Sequence, residues 1–251
     1  MKYFAAFIIL LSMSSGAHAQ KAKKDGIFYF SFGTHRAFYT NSDIRLVRNA
    51  PPNFDFTLYK VKAHDDLALG TAPQYSYNFG YYSYKKKIGI EYHFDHLKYK
   101  VQQNQAVRVK GYIGSQELDK DTVLGRDFVK LEHTDGANYA MINIVKFFTL
   151  HQSKDGINKL DLFVKAGGGV VVPKTNSIIL GVHNDDRYAF SGYVAGLEPG
   201  LRYNFLKNFF AQASFKGAYA NYNHFRIAYG YGKQQWFSGQ VNVMAGIQIG
   251  H

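Results

Sequence analysis

The chain has 251 residues, a formal net charge of +12, 17% aromatic residues, 24 glycines and no cysteine. The lack of cysteine excludes disulfides and a lipid anchor on a modified cysteine, so strand pairing and packing must hold the fold. The lysines and arginines are scattered over turns and loops instead of forming one stripe, which argues against a nucleic-acid partner. Two explanations of the charge remain open: solubility of exposed turns, and contact with the anionic lipopolysaccharide of an outer membrane.

The first residues have the pattern of a secretory signal. Lys2 supplies a positive start, an apolar run follows from Tyr3 to Leu11, and Ala17-His18-Ala19 forms a small-x-small cleavage site. The apolar run is too short to cross a bilayer as a helix. The sequence therefore predicts a signal peptide over 1–19 and one mature domain over 20–251, exported through the periplasm.

Apolar and polar residues alternate with a period of two along eight segments of the mature chain. In chain order these segments are Ile27–Tyr39, Tyr75–Tyr84, Ile88–Val101, Tyr139–Phe148, Leu160–Val172, Tyr193–Tyr203, Phe209–Tyr219 and Trp236–His251. The last segment places an apolar row opposite a polar or small row. Its apolar row is Phe237, Val241, Val243, Ala245, Ile247 and Ile249. Such rows are typical of strands in a transmembrane β-barrel, where one face meets lipid and the other faces the lumen.

The third segment changes parity. Ile88, Ile90, Tyr92 and Phe94 share one face, and the apolar row then shifts to Leu97, Tyr99 and Val101. A β-bulge at Asp95-His96 is the predicted cause, because one extra residue in a strand reverses the alternation beyond it.

The connections between the segments alternate in length. The segments 85–87, 149–159 and 206–208 are short, whereas 40–74, 102–138, 174–192 and 220–235 are long. Short periplasmic turns and long extracellular loops are typical of outer-membrane barrels. The fold predicted is an all-β, antiparallel up-and-down transmembrane barrel of eight strands. Ten strands are the alternative, because Phe54–Val61 and Ala106–Ile113 also have strand character.

Charged residues fall on the predicted lumen face of several strands. They are Glu91, Asp161, Lys165, Glu198, Arg202 and Lys216. Isolated charges in a narrow barrel would be very costly, so these six are predicted to neutralise one another as a buried ionic network. A path for ions is the alternative.

Histidines provide the candidate catalytic residues. His35 lies towards the outer end of the first segment, and His93 and Asp95 lie close together on the third. A histidine beside an acid is suited to general-base chemistry. No nucleophile-elbow motif accompanies them, and the pattern predicts neither a metal site nor a cofactor.

The mature chain resembles the small outer-membrane β-barrel proteins of Gram-negative bacteria in its signal segment, its eight alternating segments, its short turns and its terminal strand. The stretch Phe32–Val47 looks like a motif of one such barrel family, and it implies no activity. The resemblance implies an outer-membrane location and insertion by the barrel-assembly machinery, which reads a C-terminal strand. An aromatic residue usually ends that strand, whereas this chain ends at His251.

Three functions follow as hypotheses. The first is a non-enzymatic outer-membrane barrel whose surface loops support envelope integrity or contact an external ligand. The second is a lipid A-modifying enzyme, an acyltransferase or a deacylase, with His35 or His93 as the base. The third is a narrow ion channel.

Overall fold

The computed structural model describes residues 25–66, 73–154, 156, 158–185 and 187–250. The predicted signal peptide over 1–19 and the terminal His251 lie outside the described residues. Seventeen strands form in this part of the chain. They are β1 (Gly26–Tyr39), β2 (Ser42–Arg48), β3 (Phe54–Val61), β4 (Ala63–His64), β5 (Tyr75–Ser83), β6 (Ile88–His96), β7 (Tyr99–Val101), β8 (Ala106–Ile113), β9 (Gln116–Val123), β10 (Val129–His133), β11 (Ala137–Gln152), β12 (Asn158–Pro173), β13 (Asn176–Ile179), β14 (Val182–Asp185), β15 (Gly192–Tyr203), β16 (Phe209–Ile227) and β17 (Gly230–Ile249). The described residues include no helix long and apolar enough to cross a membrane.

Eight of these strands close into a barrel. In the order β1, β5, β6, β11, β12, β15, β16 and β17, each pairs antiparallel with the next. The first and last strands then pair with each other, from Phe28 opposite Ile249 to Tyr39 opposite Ser238. The strands of this ring follow chain order, so the predicted antiparallel up-and-down barrel is confirmed.

The two faces of the barrel strands differ in the predicted way. On β1, Phe28 and Phe32 are 55% and 54% exposed, whereas Tyr29 between them is 2% exposed. On β17, Val241 and Val243 are exposed and Asn242 is buried. A protein in water would place these faces the other way round, because apolar side chains gain free energy by leaving water. An apolar exterior around a polar lumen is the construction of a small outer-membrane β-barrel, and this chain has that fold.

The segments predicted as long loops are mostly strands. At residues 230–234 of β17, which we call its upper end, the sheet continues through β2, β3, β8 and β9. A second sheet contains β14, β13, β10, β7 and β4 in that order. The predicted extra strands Phe54–Val61 and Ala106–Ile113 form with those bounds as β3 and β8. Neither strand enters the closed ring.

The second sheet and the part of the first sheet beyond the closed ring form what we call the cap. The cap contains β2–β4, β7–β10, β13, β14 and the upper hairpin 221–235 of β16 and β17. Their apolar faces pack against each other, and Leu46, Phe56, Leu58, Val109 and Leu131 are at most 1% exposed. The segment 220–235, which was predicted as a loop, is a hairpin that turns between Ile227 and Gly230. The cap is therefore a folded unit with its own core, and it covers one mouth of the barrel.

The prediction of a bulge at Asp95-His96 is wrong. Strand β6 ends at His96, and the chain crosses into the second sheet, where Tyr99 pairs with His133 of β10. Leu97 and Tyr99 are fully buried in the cap core. The apolar parity changes because these residues leave the lipid-facing row and join a core of the opposite polarity.

Candidate functional site in the barrel lumen

The lumen is filled in layers that follow the height of the residues on the barrel strands. At the end with the short turns is an open vestibule, followed by a layer of aromatic rings around Arg202 and then by a cluster of charged groups. Above the charged cluster lies an aromatic plug, which is continuous with the cap core.

The charged cluster brings together four of the six predicted lumen charges. Lys165 Nζ lies 3.0 Å from Glu91 Oε1 and 3.5 Å from Glu198 Oε1. Lys216 Nζ lies 3.6 Å from Glu198 Oε2 and 2.6 Å from Asp95 Oδ2. These five side chains are 0–2% exposed. Three carboxylates therefore face two ammonium groups, and the imidazole of His93 lies among them.

The other two predicted lumen charges, Asp161 and Arg202, do not join this cluster. Asp161 accepts hydrogen bonds from Thr149 (2.9 Å) and Asn204 (3.0 Å). Arg202 turns towards aromatic rings and donates to Gln212 Oε1 at 3.2 Å. Strand β12 begins and β15 ends at the short turns. Asp161 pairs with Arg202 near that end, and Lys165 pairs with Glu198 farther from it. That separation keeps Asp161 and Arg202 out of the ion-paired cluster.

All three candidate catalytic residues meet in the upper part of the charged cluster. His93 Nε2 lies 2.7 Å from Asp95 Oδ1, and Lys216 Nζ lies 2.6 Å from the same ring nitrogen. Ser76 donates its hydroxyl proton to Asp95 Oδ1 at 2.6 Å, and His35 Nδ1 lies 2.9 Å from Ser76 Oγ. All of these side chains are buried, with exposures of 0–3%.

The proton positions are incompatible with a nucleophilic serine. Ser76 has one hydroxyl proton, which goes to Asp95, so His35 must donate from Nδ1 to Ser76 Oγ. A general base needs a lone pair facing the nucleophile. The remaining lone pair of His35 is on Nε2, which has no hydrogen-bond partner in the described part of the chain. Among the described residues, no group of three or more histidines and carboxylates is arranged to hold a metal ion. The described side chains of His35, Ser76, Asp95, His93 and Lys216 thus form one continuous buried hydrogen-bonded chain.

The aromatic plug is built around Trp236, the only tryptophan of the chain. Its ring stacks on Tyr99 of β7 at 4.3 Å and on Tyr222 of β16 at 4.4 Å between centroids. The indole Nε1 donates to Tyr139 Oη at 3.0 Å. Tyr39 of β1 packs edge-on against the same indole at 5.7 Å. One side chain thus connects three barrel strands with the second sheet of the cap.

His133 of β10 is the cap residue that extends this plug. Its ring stacks on Tyr222 with an angle of 6° between the planes. Thr175 and Gln234 lie 3.1 Å from its two nitrogens. Burial lowers the pKa of His133 from 6.5 to about 3, because the imidazolium would lose its hydration. His133 is therefore neutral in the folded cap.

This pKa predicts a loss of stability in acid. Below about pH 6.5 the unfolded chain binds a proton at His133 and the folded chain does not, so the free energy of unfolding falls as the pH falls towards 3. At about pH 4.5 we expect a loss on the order of 2 kcal/mol from this residue. Urea unfolding of the wild type and of His133→Gln at several pH values measures it. The variant should show the shallower pH dependence, and equal slopes would contradict the prediction.

Sequence reasoning missed the neutral members of these layers. Ser76 and Asn143 contact the charged cluster from β5 and β11, and Tyr29 donates to Glu91 at 2.9 Å. The signal that was available was their position: all three lie in the inward row of an alternating strand. The sequence also predicts a strand at Trp236, but the direction of its side chain into a plug depends on the cap above it.

The vestibule at the short-turn end is a cavity of about 610 Å³. Aromatic side chains (Tyr82 and Phe147), polar groups (Thr149, Asn204 and Gln248) and Arg202 form part of its wall. Lys87 and Lys207 also line it. The catalytic candidates His35, His93 and Asp95 do not line this cavity.

Comparisons with known proteins find similar solved structures but no matching family. No family model matches the chain, and no curated protein matches it. Three solved structures illustrate the similarity. The attachment invasion locus protein Ail of Yersinia pestis, solved with the heparin analogue sucrose octasulfate, is 13% identical with a TM-score of 0.40, covering 90% of this chain and 99% of Ail. Neisserial surface protein A is 12% identical with a TM-score of 0.39, covering 88% and 96%. The outer-membrane protease OmpT of Escherichia coli is 8% identical with a TM-score of 0.42, covering 92% and 99%. Identities and TM-scores this low do not indicate a function. The barrel assignment rests on the strand pairing described above.

Proposed function

We propose that this protein is a non-enzymatic outer-membrane barrel that displays a folded β-domain, the cap, on the cell surface for contacts outside the cell. The observation that carries the proposal is the cap itself. Its two sheets enclose a core of fully buried side chains that include Ile44, Leu58, Tyr99 and Leu131. Loops that only connect strands have no reason to build such a core, because ordering a segment costs conformational entropy.

The orientation follows from the lengths of the connections. Outer-membrane barrels have short turns on the periplasmic side and long segments outside. The short turns here follow β5, β11 and β15, and the cap is at the opposite end. The predicted signal segment supports export through the periplasm and insertion by the barrel-assembly machinery. Lipopolysaccharide is the expected lipid partner around the cap.

The position of the candidate bases argues against lipid A chemistry. The acyl chains of lipid A lie outside the barrel, whereas His35 and His93 point into the lumen and are 3% and 0% exposed. A catalytic base must come within hydrogen-bond reach of the proton that it removes. The barrel wall separates these histidines from any lipid substrate.

The filling of the lumen argues against a channel. An ion that entered from the vestibule would meet Arg202 under its rings, then the ion-paired cluster, and then the stacked rings of Trp236 and Tyr222. The described residues of the cap core lie beyond that plug.

Two measurements test this proposal against its alternatives. The lipid A mass spectrum should be identical in cells with the wild-type protein, with His93→Ala and without the protein, because no base reaches lipid. The purified barrel should give no steady conductance in a planar bilayer, because buried side chains fill its lumen. The gain or loss of an acyl chain that requires His93 would establish the enzyme instead. A steady current that requires the barrel would establish the channel.

A further inference from the structure

The vestibule contains one buried cation whose hydrogen bonds are incomplete. Arg202 is 1% exposed and donates through Nη2 to Gln212 Oε1 at 3.2 Å. Its Nε is buried and has no hydrogen-bond partner among the residues that the structure describes. Three rings surround the guanidinium, with centroids 3.9 Å (Phe210), 4.4 Å (Phe147) and 4.6 Å (Tyr29) from Cζ. We propose that Arg202 is the anchor of a binding site for a small organic oxyanion, a carboxylate or a phosphate, which enters through the vestibule.

The neighbouring carboxylate does not fill this role. Asp161 lies directly opposite Arg202 in the pairing of β12 with β15. Its two oxygens instead accept from Thr149 and Asn204 at 2.9 and 3.0 Å. No ion pair forms between Arg202 and a carboxylate of the described chain, whereas Lys165 and Lys216 of the same lumen are both paired. A buried guanidinium without a carboxylate is costly, and an oxyanion supplies the matching acceptors in the planar geometry that arginine prefers.

The rings hold Arg202 in a fixed position. Cation–π contacts stabilise a guanidinium over an aromatic face and replace part of its lost hydration. Rings over the faces of a guanidinium do not satisfy its N–H donors, which lie in its plane. A preordered cation loses little side-chain entropy when a ligand binds.

The walls of the vestibule indicate the size and kind of ligand. A volume of about 610 Å³ is within the usual range for small-molecule sites. Lys87 and Lys207 add positive charge at the mouth, which raises the local concentration of anions. Asn204, Gln248 and Thr149 suit a ligand that carries hydroxyl or amide groups beside its oxyanion, as sugar acids and sugar phosphates do. The inference that the ligand is periplasmic rests on the orientation in the proposed function, whereas the chemistry of the site does not.

The test uses the full-length mature protein in detergent micelles and follows the side-chain Nε–Hε resonance of Arg202 by NMR. Four solutes are titrated at constant ionic strength: inorganic phosphate, D-glucuronate, uncharged methyl glucoside and chloride. Phosphate or glucuronate should shift the Arg202 resonance saturably, and the tighter of the two identifies the class of oxyanion. Methyl glucoside and chloride should leave it in place. A resonance that neither oxyanion moves, or that methyl glucoside moves as strongly as glucuronate, would overturn the proposal.

Variants show whether Arg202 is the anchor. With the side-chain amide of Gln248 as the reporter, Arg202→Met should weaken oxyanion binding at least about tenfold, because it removes charge-assisted hydrogen bonds. Lys120→Met removes one positive charge from the exposed face of the cap and is the matched control, with unchanged binding expected. If Arg202→Met does not fold, Lys87→Met at the exposed mouth should still weaken binding severalfold by lowering the local anion concentration. Equal binding by Arg202→Met, or by Lys87→Met in its place, would refute the site. Because binding is measured in micelles, this result is independent of which way the barrel faces.

Discussion

Replacement of Lys216 by methionine is expected to destabilise the barrel by about 3–5 kcal/mol, because it removes one partner of a buried ion pair. Lys216 Nζ lies 2.6 Å from both Asp95 Oδ2 and His93 Nε2. Without the ammonium group, Lys165 is the only lysine left in the cluster to face the carboxylates of Glu91, Asp95 and Glu198. Urea unfolding in detergent or in lipid vesicles measures the loss. The fluorescence of Trp236 is a convenient signal because no other tryptophan is present.

Two controls separate the loss of the ion pair from the loss of a lysine side chain. Lys120→Met changes an exposed lysine of β9, so we expect its effect to stay within about 0.5 kcal/mol. In the double variant Lys216→Met with Asp95→Asn, a carboxylate is removed together with the ammonium group. We expect the double variant to lose less than the sum of its two single variants, as for coupled neighbours. Strict additivity, or a loss for Lys216→Met as small as that for Lys120→Met, would show that the cluster does not act as a unit.

Replacement of Trp236 by alanine is expected to cost about 3–5 kcal/mol, the range for large-to-small changes of a buried aromatic side chain. The indole is 2% exposed and stacks between Tyr99 and Tyr222. Its removal leaves a cavity between the barrel and the cap and deprives Tyr139 of a hydrogen-bond donor. We therefore expect the cap to become sensitive to protease while the barrel remains protected. Loss of heat-modifiable gel mobility in urea measures the stability of this variant, which lacks the fluorescent residue.

The matched control for this prediction is Trp236→Phe. It keeps a ring between Tyr99 and Tyr222 and loses the Nε1–H donor and part of the ring area, so the loss should be clearly smaller. If Trp236→Ala unfolds at the same urea concentration as the wild type and its cap resists protease, the plug does not hold the cap to the barrel.

The sequence predicted the barrel well because lipid imposes a simple rule. At the start of β1 the exposed row is Phe28, Phe30 and Phe32 and the residues between them face the lumen, so the alternation of Phe28, Tyr29 and Phe30 can be read directly. The strand positions followed from that rule, and the pairing of β1 with β17 closes the ring.

The cap was harder to predict because the same chain reverses its polarity above the membrane. Along β17, the outward row changes from Val241 and Phe237 to Lys233, and the inward row changes from Asn242 to Trp236. The outward apolar rows end where this reversal begins, so the sequence predicts a loop where the upper halves of β16 and β17 form a hairpin. The reversal itself marks the boundary of the lipid-facing region in both strands.

Contacts inside the lumen were beyond sequence reasoning for a different reason. His35, Ser76 and Asp95 come from three separate strands, and their meeting depends on the registers of β1 with β5 and of β5 with β6. A shift of register would bring together other residues. The register of β12 with β15 places Arg202 below the charged cluster, although its charge alone suggests that it would join the cluster.

The measurement that tests the account most directly is labelling of single cysteines on intact cells. The chain contains no cysteine, so each introduced thiol is unique. Asp121→Cys lies on the exposed edge strand of the cap, and Lys86→Cys lies in the short turn after β5. A maleimide that cannot cross membranes should label Asp121→Cys on intact cells, and it should label Lys86→Cys only after the outer membrane is broken. Labelling of Lys86→Cys on intact cells with Asp121→Cys protected would contradict display of the cap on the cell surface.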